Sequence, residues 1–240
     1  MKKIRVLIYN EYIHERGNNE VIKKLYPEGI HTALKTGLSA DDFEISVANL
    51  DMPEHGLSEE ILSNTDVLLW WAHANHGGVS DEAAKRVQKH VLNGMGFVPL
   101  HSSHASKPFR FLMGTSCDLL WRCAGEHVRV WNINPSHPIT RGIDANFMIE
   151  HDEMYGEFFD IPKPDEIIFI SWYQGGEVFR SGCTFLRGMG KIFYFQPGHE
   201  DCAVYYNENV LKVISNAIRW AAPIERKKIK FGYSEPLERI

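Results

Sequence analysis

The chain has 240 residues, 44% of them hydrophobic and 24% charged, with a formal net charge of −5, which suits one sizeable globular unit or two small ones. Basic residues are scattered apart from Lys227, Lys228 and Lys230, so nucleic acid and anionic membrane surfaces are not expected partners. No apolar run approaches the roughly 18 residues of a spanning helix, the segment after Lys2-Lys3 is too short for a secretory h-region, and the four cysteines lack zinc-knuckle spacing; a cytoplasmic chain with reduced thiols is expected.

Residues 4–9 read as a first strand, and 27–36 as a helix with Pro27 at its start and Gly37 just beyond its end. Residues 43–50 alternate in polarity and are rich in β-formers. The run 66–72 is continuously apolar, as in a strand buried on both faces. Its Trp70-Trp71 pair is read as core, with Trp71 near enough to the strand end to be a sugar-stacking candidate. Ser80 caps a helix with Asp81 and Glu82 in its first turn and Ala83, Val87 and Val91 on one stripe. Residues 97–100 are a fourth strand that runs straight into His101-Ser102-Ser103-His104. Strands alternating with helices in this half predict a mostly parallel central sheet covered on both faces.

The second half is richer in strands. The segment from Cys117 to Cys123 reads as a helical turn and a half with packed thiols, followed by strands at 126–133, 147–153 and 166–173. Residues 178–187 and 191–195, joined by Gly188-Met189-Gly190, read as an extra β hairpin. Gly175-Gly176 and 137–142 are turns, the loops at Pro53 and 162–164 are insertions, and no phosphate-cradling glycine motif occurs. A last helix at 207–221 carries Val210, Ile214, Ala217 and Ala221 on one stripe and closes the fold. The expectation is a single domain over 1–222 with a polar tail at 223–240. Tyr205, Tyr206 and that tail are read as an exposed surface for self-association, so a homo-oligomer is expected.

Polar residues of one kind follow the apolar runs: Asn10, Glu11 and His14; His73 and His76; His101 and His104; Glu150 to Glu153; His199 and Glu200. In a parallel sheet these ends share one edge, where ligands bind, so imidazoles and carboxylates converge there. Such a pocket suits proton transfer or a divalent metal such as zinc or manganese, although the sequence holds no local ligand pair like H-E-x-x-H. A lone loop histidine is ordinarily solvated or locally bonded. His101 and His199 stand apart because each follows a buried strand in a tight turn among small residues, Ser102, Ser103 and Gly198. The candidate catalytic residues are therefore His101, Glu153, His199 and Glu200, with His101 and His199 as candidate metal ligands. Candidate substrate-binding residues are Glu11, Trp71, His73, Ser102 and His104.

Phe195-Gln196-Pro197-Gly198-His199-Glu200 resembles the closing His and Glu of class I glutamine amidotransferases, which implies a flavodoxin-like three-layer α/β sandwich. The turn at 99–104 corresponds to the one that carries the superfamily's cysteine and holds none here, so thiol amidotransferase activity is not expected. A closer resemblance, over nearly the whole chain, is to the trehalose-utilisation (ThuA-like) family. It is carried by Trp70-Trp71-Ala72-His73, Gly94-Met95-Gly96 leading to Leu100-His101-Ser102, Glu153-Met154-Tyr155-Gly156-Glu157, the stretch from Gly175 to Gly182, and Pro197-Gly198-His199-Glu200. That resemblance implies a cytoplasmic protein of sugar catabolism working beside systems that oxidise disaccharides to 3-keto derivatives. A carbonyl at C3 acidifies the neighbouring C–H bonds, so Glu153 or Glu200 is the expected base and His101 and His199 the acid, donor or ligand. Two other readings stand beside it: a non-catalytic sugar-binding or regulatory protein on the same fold, and a hydrolase using Ser102 or Ser103 with a neighbouring histidine.

Overall fold

The computed structural model describes residues 3–17, 19–226 and 231–238; the basic cluster at Lys227, Lys228 and Lys230 lies outside them. The chain runs β1 (Ile4–Asn10), α1 (Ile13–Arg16), α2 (Glu20–Leu25), α3 (Ile30–Gly37), β2 (Phe43–Asn49), α4 (Glu59–Ser63), β3 (Val67–Trp71), α5 (Asp81–Leu92), β4 (Gly96–Leu100) and α6 (Lys107–Met113). It continues through β5 (Leu120–Asn132), β6 (Asn146–Gly156), β7 (Glu166–Tyr173), β8 (Val178–Arg187) and β9 (Gly190–Phe195) to α7 (Glu208–Ala221). Among the described residues the strands form one nine-stranded sheet in the order β2-β1-β3-β4-β9-β8-β7-β5-β6. It is parallel from β2 to β9 and antiparallel from β9 to β6.

The parallel strands explain their own sequences. Every residue of β3 and β4 is buried, as a strand flanked on both sides and covered on both faces must be. Ser80 Oγ accepts from the Ala83 N–H (3.2 Å) and caps α5, and Asn207 Oδ1 accepts from Asn209 and Val210 (3.0 and 3.2 Å) to cap α7. The predicted α7 stripe, Val210, Ile214, Ala217 and Ala221, is fully buried. Gly96 lets this helix close on the sheet, since a Cβ there would sit 2.7 Å from the Ala221 carbonyl oxygen.

The flavodoxin-like α/β sandwich and the extra hairpin are present, and three local expectations change. The predicted helix at 27–36 is α3, which starts only at Ile30, with Pro27 in the turn before it; a separate helix that was not predicted, α2, precedes that turn and is capped by Asn19, whose side chain accepts from Val21 and Ile22. Gly37 ends α3 rather than following it, and it is a contact point, since a Cβ would meet Leu211 of α7 at 2.7 Å. The segment between Cys117 and Cys123 is not helical, because β5 begins at Leu120. Its alternation is hidden by register shifts between Arg122 and Val128 on pairing with β6, where Gly125 takes φ +61°. Tyr205 is fully buried rather than exposed, whereas Tyr206 is half exposed. Beyond α7, residues 223–226 and 231–238 carry no helix or strand, and no helix among the described residues is long and apolar enough to cross a membrane.

Candidate functional site

Four segments meet at the C-terminal edge of the parallel strands. After β4 the chain turns sharply at His101, which holds φ +51°, a left-handed conformation uncommon for a residue with a Cβ. Its Nδ1 lies 2.9 Å from the Gln196 carbonyl oxygen; a carbonyl only accepts, so Nδ1 carries the proton. The ring stacks on Tyr155 at 5.0 Å. After β9 the turn at Gly198 (φ +148°) leads to His199. That turn is held by the buried Asp152 carboxylate, which accepts from the N–H groups of Gly198 (3.2 Å) and His199 (3.0 Å). The Trp71 indole N–H donates to the Gly198 carbonyl at 3.0 Å. After β3, Glu11 accepts from the N–H groups of His73, Ala74 and Asn75 at 2.6–2.9 Å and fixes the turn that carries His73. Strand β6 passes over this edge and supplies Glu153.

The side chains converge on one point. Glu153 Oε2 lies 3.1 Å from His101 Nε2, 3.9 Å from His73 Nε2 and 4.0 Å from His199 Nε2, and the four potential ligand atoms all fall within 4.8 Å of one another. Each ring's other nitrogen faces an oxygen: the Gln196 carbonyl for His101, Asp201 Oδ1 at 2.5 Å for His199, and Glu200 Oε2 at 2.7 Å for His73, the last off the line of an ideal hydrogen bond. With protons on those outer nitrogens, three imidazole lone pairs and a carboxylate oxygen point at the same place. Acceptors so placed repel unless a cation or a proton lies among them. Histidines backed by carboxylate or carbonyl acceptors are also the usual form of a metal-ligating imidazole, and three nitrogens with one carboxylate suit zinc or manganese.

The electrostatics point the same way. Burial pushes the Glu153 carboxyl up, but the imidazoles around it, when protonated, hold it below its ordinary range: His101, which in that charged form also donates from Nε2, with the charges of His199 and His73. Burial also raises Glu200, yet the close approach of His73 and the charges of His73, His199 and His14 bring it down to about 2. The His199 hydrogen bond takes Asp201 to about 2. For His199 itself, burial opposes the charged form, and Asp201, Glu200 and Glu153 outweigh it to raise the ring to about 9. The pocket thus keeps its carboxylates ionised and favours positive charge at its centre.

The residues predicted from sequence divide accordingly. His101, Glu153, His199 and Glu200 lie together, and His73, expected as a substrate contact, is a full member of the cluster. Trp71 has no exposed face to stack on a sugar; it is buried and positions Gly198. Glu11 is buried, with both carboxylate oxygens occupied by the turn at 73–75. His104 turns away from the cluster: its Nδ1 contacts the Cys117 carbonyl at 2.7 Å among Tyr155, Phe159 and Tyr194, and burial pushes its pKa down to about 3. Ser102 Oγ shares a hydrogen bond with the Tyr155 hydroxyl (2.5 Å), and Ser103 Oγ donates to the Trp70 carbonyl (3.0 Å) while accepting from the Ala72 N–H. Both hydroxyls are engaged by groups other than a histidine, so the described residues show no direct serine–histidine pair for the serine-hydrolase reading.

Four contributors had no role assigned from the sequence, although His14 and Asp152 stand among its strand-end groups. Asp152 and Asp201 position the His199 turn and ring, the Tyr155 hydroxyl lies 3.3 Å from His101 Nε2, and His14 Nδ1 lies 3.6 Å from Glu200 Oε1. The signal for Asp201 was its spacing, two residues past a candidate histidine. Asp152 and Tyr155 flank Glu153 on both sides of the same strand, and no pattern in the sequence says that both are directed inward.

The sheet order and the left-handed turn after β4 define a class I glutamine amidotransferase-like α/β fold whose turn presents an imidazole where a thiol nucleophile would stand. The chain belongs to the trehalose-utilisation (ThuA) family, whose model matches residues 5–221. Among solved structures, a ThuA-like protein from Parabacteroides merdae is 15% identical, with 95% of this chain and 93% of that one covered at a TM-score of 0.69. A ThuA-like protein from Bacteroides uniformis is 17% identical over 92% and 91% of the two chains, with a TM-score of 0.65. A PurLQS structure from Thermotoga maritima shares the fold at 15% identity over 92% and 99%, with a TM-score of 0.56. No curated protein matches the sequence.

Proposed function

We propose that the protein is an enzyme acting on 3-keto derivatives of disaccharides, moving a proton beside the carbonyl at a centre where His73, His101, His199 and Glu153 hold a divalent cation. The observation that carries this reading is the convergence of three Nε2 atoms on the Glu153 carboxylate while the His101 Nδ1 proton is committed to the Gln196 carbonyl. Membership of the trehalose-utilisation family supports a disaccharide-derived substrate.

His73, His101, His199 and Glu153 would hold the cation, which, when bound, would supply Lewis-acid stabilisation of negative charge on the substrate's carbonyl oxygen. The rest falls to the chain. Glu200, beside the cluster and not among its four donors, is the carboxylate that takes the proton; held near 2, it is always ionised but a weak base, so the C–H must be acidified by the polarised carbonyl. Tyr155, its hydroxyl hydrogen-bonded to Ser102 and well raised by burial, stays protonated and is placed to donate. His14 and His73 surround Glu200 and hold its charge. Isomerisation and loss of the glycosidic oxygen both begin with this proton removal.

The test is metal analysis of the purified protein together with incubation of 3-keto-trehalose in D2O. Stoichiometric zinc or manganese, lost in His73→Ala and His199→Ala, with deuterium entering beside the carbonyl in wild type and not in Glu200→Gln, supports the reading. Sugar binding with neither turnover nor exchange, and no effect of added metal, would make the protein a sugar-binding one instead.

A further inference from the structure

Strand β5 enters the sheet beside the site with an exposed tryptophan. Trp121 is 67% exposed, unusual for the side chain with the most apolar surface to bury. Its direction follows from its neighbours. Side chains alternate along a strand and pair across strands on the same face. Trp121 is the Cα partner of Tyr155, which reaches His101. Two residues on, Cys123 presents its Sγ within 4.8 Å of the ligand atoms of His199 and Asp201. The residues between and before them take the opposite face: Arg122 is bonded to Glu126 and Glu177, and the Leu120 Cβ lies 3.5 Å from the Cβ position of Gly156. Trp121 therefore stands on the face that holds Cys123, Glu153 and Tyr155, at the rim of the cluster, directly across from the tyrosine that touches it.

We infer that Trp121 is the stacking platform for the second sugar ring of the substrate, so that the site selects a keto-disaccharide over a keto-monosaccharide; this rests on the proposed function above. The keto ring needs polar groups and charge, which the cluster supplies. A pyranose ring beyond the glycosidic oxygen presents an apolar face of C–H groups, and an indole at the rim is the surface that matches it.

The test compares kcat/KM for 3-keto-trehalose and 3-keto-glucose in wild type, Trp121→Phe and Trp121→Ala, and also measures how far each sugar slows alkylation of Cys123. Cys123 is exposed while Cys117, Cys183 and Cys202 are buried, so the thiol reports occupancy without requiring turnover. The disaccharide-to-monosaccharide ratio is expected to fall about fivefold or more in Trp121→Ala and to be largely restored in Trp121→Phe, with disaccharide protection of Cys123 weakened in parallel. A ratio unmoved in Trp121→Ala while wild type turns over both sugars overturns the platform alone. Loss of self-association in Trp121→Ala with the same unmoved ratio assigns the indole to a subunit interface and also overturns it. If the disaccharide is neither converted nor protective in wild type, the keto-sugar reading fails and the platform with it.

Discussion

Replacing Asp152 with alanine is expected to unfasten the His199 turn and to cost the protein several kcal/mol. The carboxylate is fully buried and accepts from the backbone N–H groups of Glu153 (3.0 Å), Gly198 (3.2 Å) and His199 (3.0 Å). Alanine would leave these three donors without their acceptor, at about 1–3 kcal/mol each for a buried unsatisfied group. Against this stands the relief of removing a carboxyl that burial already disfavours, as its raised pKa records. The net expectation is about 3–5 kcal/mol, or on the order of 10 °C in Tm for a chain of this size. The site should suffer with the fold, because the freed turn carries His199 and the Gly198 carbonyl that Trp71 grips. Urea and thermal unfolding give the first quantity, and zinc retained after dialysis against a weak chelator gives the second. An Asp152→Ala protein within 1 kcal/mol of wild type and equally retentive of metal would refute the idea that this carboxylate builds the site.

Asp201→Asn removes the charge behind His199 Nδ1 while keeping the side chain's size, and should weaken zinc binding about 10–100-fold with little change in Tm, as read by competition with a chromogenic chelator. Gly198→Ala would drive a Cβ into the Tyr205 hydroxyl, with the Tyr205 Cζ at 2.8 Å and the His101 Cβ at 3.2 Å, at a positive φ; it should destabilise by at least about 1–3 kcal/mol and abolish turnover, measured by thermal unfolding and the exchange assay. His104 falls from an ordinary 6.5 to about 3 through burial, so the unfolded chain binds its proton first. Its stabilising contribution is whole above pH 6.5 and is lost as pH falls toward 3, on the order of 4 kcal/mol over the interval. Urea unfolding at stepped pH should show this decline, shallower in His104→Gln.

The sequence by itself determined the elements whose physics is local. The apolar runs of β3 and β4, the Ser80 cap, the α7 stripe and the hairpin around Gly188 and Gly190 follow from burial period and turn chemistry, which neighbours in sequence decide. It also placed His101 and His199 after buried strands, because a parallel sheet gathers strand ends at one edge. Tertiary structure decided the rest. That β6 crosses this edge, so that Asp152 and Glu153 both face inward, depends on the register shifts opposite β5, which leave no alternating signature in either strand. That Glu11 and Trp71 serve the turns rather than a ligand, and that His104 points into an aromatic core while His73 joins the cluster, depends on which N–H and carbonyl groups surround them. Residue type and spacing specify that a histidine can bind a metal or move a proton; only the partner of its other nitrogen, supplied by chain distant in sequence, specifies which lone pair is left to do it.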